Sequence, residues 1–176
     1  MILPVDRSLS VDKVAAVQVV EGVVDPELPV LTLAELGVLR GVEIGADGRV
    51  IVAITPTYSG CPALDEMRAD VRARLADAGY YDVEVRTVLQ PAWTTDMITP
   101  AGRRKLAEHG IAPPNRVGPR PAGPIPLQLS LPRRQVPCPL CGSANTVELS
   151  RFSSTACKAL RRCDDCREPF EHLKEL

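Results

Sequence analysis

Apolar positions in the N-terminal half alternate between helical and strand rhythms. In SLSVDKVAAVQVVEGVVDPELP, Val11, Val14, Ala15, Val17 (or Gln18) and Val20 (or Glu21) recur at helical spacing. Ser10 suits the N-cap, and Gly22 followed by Pro26 ends the run. The Asp25-Pro26-Glu27 turn leads into LTLAELGVLRGVEIG. VLRGVEI and RVIVAITP read as strands around GADG, whose Asp47-Gly48 is a hairpin signal. VIVAI is almost wholly apolar, which predicts a central strand covered on both faces. Pro62 then fits the first position of a helix whose apolar stripe is Leu64, Met67, Val71 and Leu75, with Gly79 closing it. YDVEVRTVL is a third strand, with Val83, Val85, Thr87 and Leu89 on one face.

The order α-β-β-α-β predicts an α/β (α+β) class: a small two-layer domain with a mixed sheet and its helices on one face. A short helix follows over Pro100–Glu108, capped by Thr99. From Ile111 to Pro137 prolines recur every few residues, a composition that suits an extended connector. The expected organisation is an α/β domain over 1–110, a proline-rich connector or wrapping arm over 111–136, and a cysteine-bearing module over 137–176. No internal repeat is visible.

Composition narrows the partners. The chain has 176 residues, 45% of them apolar, and a net charge of −1. That balance argues against nucleic acid and against an anionic membrane surface. Aromatics at 3% leave little for a base-stacking platform. No apolar run reaches membrane-spanning length, and MILPVDRSLS lacks a basic region followed by an apolar core. The expected location is the cytoplasm, where thiols stay reduced and six cysteines read first as metal ligands or reactive groups.

Four of those cysteines form two C-x-x-C pairs, CPLC from Cys138 and CDDC from Cys163. Each pair lets two thiolates reach one ion from a tight turn, and two such turns complete a tetrahedral S4 site. Cys138, Cys141, Cys163 and Cys166 are therefore expected to bind structural Zn2+. Iron or an iron–sulfur cluster is the competing occupant, and redox chemistry at one C-x-x-C a third reading. So small a module needs the metal's binding energy to fold. Cys157 is left over, as a packed thiol or a fifth thiolate. Arg133, Arg134, Lys158, Arg161 and Arg162 make the module locally basic, which reads as a solvated or partner-facing surface.

The sixth cysteine, Cys61 in TPTYSGCPALDEM, falls where the central strand gives way to a helix. As the N-cap or its neighbour it would be favoured as a thiolate; an inert packed cysteine is the alternative. Asp25 and Glu27 are its candidate acidic neighbours if the turn folds back, and ordinary turn residues otherwise. A cysteine hydrolase needs a histidine base, and His109 and His172 lie in no motif that would place one. No Gly-rich phosphate loop, Glu-x-x-His pair or dinucleotide fingerprint is present.

DPELPVLTLAELGVLRGVEI, VAITPTYSGCPALDEMRADVRARL, VEVRTVLQPAWTTDMITPAGRRKLAEHGIAPP, CPLCGSANT and FSSTACKALRRCDDCREPFEHLK together resemble the PaaD (PaaJ) family of the bacterial phenylacetyl-CoA epoxidase system. The N-terminal part also resembles the wider metal–sulfur cluster assembly family that includes SufT. The resemblance implies a small α/β domain whose DPE/DPD turn and cysteine-bearing GCP-like element match Asp25-Pro26-Glu27 and Gly60-Cys61-Pro62, and a zinc-ribbon-like tail. It implies partners in a di-iron oxygenase, an iron–sulfur and flavin reductase and the iron–sulfur assembly machinery, with Cys61 transiently holding iron or a cluster. The expected role is an accessory factor maturing the iron or iron–sulfur centre of the epoxidase, without catalytic activity of its own. A structural subunit of the oxygenase is the alternative, and a stand-alone cysteine enzyme a third.

Overall fold

A computed structural model describes residues 7–58, 60–118 and 135–175, with side chains from Lys13 onward. The chain divides into two compact units, Met1–Trp93 and Thr94–Leu176.

The first unit runs α1 (Arg7–Glu21), α2 (Leu33–Leu36), β1 (Leu39–Ile44), β2 (Val50–Ile54), α3 (Leu64–Asp77) and β3 (Val83–Thr87). The sheet order is β1-β2-β3; β1 and β2 are antiparallel, β2 and β3 parallel. A parallel pair cannot be joined by a hairpin, so α3 is the crossover that links them. Helix α1 packs against β1 and α3, and α3 against β3. Val20, Val52, Ile54, Met67, Val71 and Leu75 fill the buried layer between helices and sheet.

Several expectations shift. Helix α1 begins at Arg7, so Ser10 lies inside it and is not its N-cap. From Lys13 onward its buried positions are Ala16 and Val20, whereas Val14 is 58% exposed. Valine and alanine occur all round this helix, so several stripes fit the spacing and only packing selects one. VIVAI is central in the sheet but not covered on both faces: Val50, Val52 and Ile54 are buried, while Ile51 and Ala53 are half-buried. Leu89 lies past the end of β3 and is exposed.

Helix α2 is an addition to the expected elements. Thr32 and Glu35 form a reciprocal capping box, and Gly37 ends the helix in the left-handed conformation at φ 76°. The buried indole of Trp93 donates to the Leu36 carbonyl at 3.0 Å, pairing one acceptor that the helix end leaves over.

The second unit opens with a 3-10 turn (Thr95–Met97) and α4 (Pro100–Glu108). Thr99 caps α4 by accepting from the Gly102 N–H at 3.0 Å. Strands β4 (Ile111–Ala112), β5 (Thr146–Ser150), β6 (Lys158–Cys163) and β7 (Pro169–Leu173) form a sheet of order β4-β7-β6-β5. Ile111 and Ala112 fall in the connector expected over 111–136 from composition; instead they pair in parallel with Glu171 and His172. Pro113 and Pro114 stop that strand at once, and the rest of the expected connector is described only to Gly118 and from Gln135.

Cations on β6 are matched individually. Lys158, almost fully buried, meets Glu171 at 2.8 Å, Arg161 meets Glu148 at 3.5 Å, and Arg162 meets Asp164 at 2.8 Å. The expected basic surface is thus largely neutralised here, while Arg133 and Arg134 lie outside the described residues. Glu171 also accepts from Ser153 Oγ at 2.6 Å and Ser154 Oγ at 2.8 Å. Burial alone would raise its carboxyl, but the Lys158 ammonium and the two hydroxyls outweigh that and hold it at about 2.

A depressed carboxylate stabilises the fold above its unfolded value of 4.5 and loses that contribution as pH falls towards about 2. Allowing for solvent screening, Glu171→Gln should lower the unit's stability by about 1–2 kcal/mol at pH 7. The gap between wild type and variant should close below pH 4.5 in paired denaturation curves; a gap independent of pH would contradict the assignment.

Candidate metal centre

The two C-x-x-C turns face each other at one end of the second sheet. In the first, the Cys138 N–H donates to Ser143 O at 2.8 Å and the Gly142 N–H to Cys138 O at 2.9 Å. Gly142 sits at φ 76°, a conformation that a side chain disfavours. In the second, Cys163 ends β6 and its N–H donates to Glu168 O at 3.0 Å. The place matching Gly142 is held by Arg167 at φ 69°, at a cost of roughly 1 kcal/mol. A second pairing joins the turns: Asp164 N–H to Asn145 O at 2.9 Å, Asn145 Nδ2 to Asp165 Oδ1 at 2.9 Å, and Ser143 Oγ to Asp165 Oδ2.

The four sulfurs all lie within 4.8 Å of one another. Cys138 to Cys166 is 3.8 Å and Cys141 to Cys163 is 3.5 Å. A disulfide needs about 2.05 Å. A tetrahedron with metal–sulfur arms of about 2.3 Å has edges of roughly 3.8 Å, so the spacing fits one ion held by four thiolates. Backbone N–H groups of Cys166 and Asp165 aimed at the Cys163 sulfur hold that thiol down at about 7. The Glu168 N–H acts the same way on Cys166, but burial and the neighbouring thiols outweigh it and push Cys166 up to about 12. So close a group cannot be wholly ionised without a cation among it. All four positions of the tetrahedron come from the protein, which suits a structural ion rather than a catalytic one.

The apolar support around this cluster is small. Ala112, Val136, Cys138, Cys163 and Phe170 are its buried members, and two of those five are ligand cysteines. Cys157 is buried apart from that core, with its sulfur 3.1 Å from Thr155 Oγ1. None of the six cysteines is in a disulfide.

Cys61 belongs to the first unit and is half-buried. It lies in the crossover between the parallel strands β2 and β3, beyond the carboxyl end of β2, where open sheets place ligand sites. It is not the N-cap of α3. Ala63 holds that position without a side-chain cap bond, and Pro62 precedes the helix rather than starting it. The Cys61 N–H donates to Tyr58 O at 3.2 Å and its carbonyl accepts from Leu64 N–H at 3.4 Å, so the residue is fixed in the turn feeding the helix.

Asp25 is buried, and its Oδ1 accepts from the Glu27 N–H at 2.9 Å and the Leu28 N–H at 2.7 Å. Its own N–H donates to Leu31 O at 2.9 Å. The Asp25-Pro26-Glu27 segment is therefore a carboxylate-capped turn, with Glu27 half-buried on it. His109 is exposed at the end of α4 with Nδ1 on Lys105 O at 2.8 Å, and His172 is buried in β7.

Residues 123–174 match the PaaD zinc beta ribbon domain, and residues 13–87 match the iron-sulfur cluster assembly protein family. A candidate 1,2-phenylacetyl-CoA epoxidase subunit from Escherichia coli K12 is 47% identical over 150 residues, covering 85% of each chain. An Fe-S protein maturation auxiliary factor from Porphyromonas gingivalis is 37% identical over 84 residues, 47% of this chain and 79% of its own. The crystal structure of a domain of unknown function, DUF59, from Bacillus anthracis superposes with TM-score 0.52 at 24% identity, covering 56% of this chain and 94% of that one, a likeness of fold. Fold and sequence together define an iron–sulfur-assembly-type α/β domain followed by a zinc ribbon. The chain belongs to the PaaD family of 1,2-phenylacetyl-CoA epoxidase subunits.

Two outcomes follow from this geometry. Chelation, or Cys141→Ser, should unfold the ribbon while leaving the first unit's amide spectrum intact, because the ribbon's apolar core is small and two of its five buried members are ligand cysteines; retention of the ribbon's β-sheet signals in metal-free protein would contradict this. Asp25→Ala removes two acceptor bonds from a buried turn and should cost about 1–2 kcal/mol in denaturant unfolding, whereas a surface-like effect near zero would show the turn holds without its cap.

Proposed function

We propose that this protein is a cytoplasmic accessory factor of a phenylacetyl-CoA epoxidase system, maturing or repairing the iron or iron–sulfur centre of its oxygenase or reductase component. The observation that carries the reading is the pairing of relatives: one similar over most of the chain belongs by name to the epoxidase, and those similar over the first unit are Fe–S maturation factors. Cys61 is the residue that would hold the metal in transit. A half-buried thiol in a crossover turn can offer one sulfur and leave the remaining coordination positions of iron to a donor or an acceptor protein. Asp25 and Glu27, on one carboxylate-capped turn, are the acidic residues proposed to act with Cys61. The ribbon's four cysteines would hold Zn2+ permanently and present a folded surface to the client.

No helix among the described residues is long and apolar enough to cross a membrane. A structural subunit is the second reading, since the relative that matches across both units is named as a subunit.

The test is to purify the oxygenase and reductase components from cells with wild-type protein, with none and with Cys61→Ser. Serine matches cysteine closely in size, so the variant should keep the wild-type unfolding midpoint, yet the client's iron should fall severalfold, as in the deletion. Full client iron with lost activity would favour the structural subunit.

A further inference from the structure

We propose that the edge strand β5 and the turn after it form the docking face for the client, and that the client segment it receives is apolar and carries carboxylates. This rests on the accessory reading above and names the surface through which it acts.

The ribbon sheet has two edges of unlike character. Strand β4 is two residues long and runs straight into Pro113-Pro114, which lack N–H donors; that edge is closed to added strands. Strand β5 has five residues and no proline, and its three central residues are all exposed. Val147 and Leu149 are 39% and 51% exposed. The turn beyond adds Phe152 at 65%, one of only two phenylalanines in the chain; the other, Phe170, is in the ribbon core. A lone exposed leucine means little, but three large apolar groups on one edge and its turn are the makings of an interface anchor.

Charge selects the partner. The acidic groups along this side are already used: Glu148 by Arg161 and Asp164 by Arg162. Arg151 is exposed and makes no ion pair among the described residues. Lys174 holds its ammonium 4.7 Å from the Phe152 ring and donates to Arg151 O at 3.1 Å. Among the described residues, two cations without acidic partners therefore flank the apolar groups. A second apolar cationic surface would be repelled, whereas carboxylates on an apolar segment would complete both sets. A register shift between Glu148 and Ser150 breaks the strand's regular pairing. Backbone addition is thus confined to Thr146–Glu148, and side chains carry most of the contact.

The experiment uses full-length, zinc-loaded protein and purified oxygenase and reductase components, with binding followed by interferometry at low and high salt. Val147→Lys/Leu149→Lys and Phe152→Ala should each weaken binding roughly tenfold or more with zinc content unchanged. Arg151→Glu should weaken it too and flatten its salt dependence. No binding by wild type, or equal binding by all variants, would overturn the inference. So would a wild-type dimer that the variants turn into monomers without affecting client binding, which would assign the edge to self-association. The two proposals fail separately: if the Val147/Leu149 variant sustains full client iron in cells while Cys61→Ser does not, the docking face is wrong and the maturation reading stands. If client iron is indifferent to the whole protein, the maturation reading falls.

Discussion

Four sulfur atoms drawn within 4.8 Å decide the shape of the C-terminal unit. Thiolates at that distance repel one another, and a cation among them turns the repulsion into four bonds. The two turns that carry them are arranged for this: each is closed by backbone pairs, and N–H groups point at sulfur. The sheet takes its position from the same point, since Cys163 is the last residue of β6 and Cys138 packs with Phe170 of β7. The first unit needs no such device. Two layers meet there over a continuous apolar interior from Val20 to Leu75, and its short helix α2 is fixed by a capping box and the Trp93 bond. One chain thus combines a unit with an ample buried interior and a unit whose four thiols are placed for coordination.

That division explains the two kinds of cysteine. A four-sulfur site with every position filled by the protein resists exchange and suits a permanent ion. Under the proposed function Cys61, in the turn that follows β2, would offer a single sulfur. A carrier needs the second arrangement, because a ligand shared with a donor and an acceptor must be incomplete on its own. The buried carboxylate of Asp25 fixes its own turn, accepting from the Glu27 and Leu28 N–H groups.

Much of this was legible in the residues because the signals were local. Thr99-Pro100 fixes the start of α4, Asp47-Gly48 the hairpin, and C-x-x-C spacing the metal turns, each through chemistry contained in a few residues. The errors have equally definite causes. The buried face of α1 could not be read where valine and alanine occupy every side. Helix α2 is too short for periodicity, although Thr32-x-x-Glu35 and Gly37 mark both its ends. Pro62 suggested a helix start, but the chain uses Pro62 and Ala63 in a turn first, which moves Cys61 off the cap. The cations of β6 are neutralised by acids that arrive from other strands: Glu171 from β7 and Glu148 from β5. Such pairs across the sheet leave no trace in local composition.

The most direct test of the division between a closed and an open sulfur site is iron titration of zinc-loaded protein under anaerobic conditions, read by Mössbauer spectroscopy and by elemental analysis. A single retained zinc per chain is expected, with an added iron signal that Cys61→Ser abolishes. Iron that survives Cys61→Ser and is lost instead on replacing a ribbon cysteine would contradict this division, since the ribbon would then be the exchangeable site.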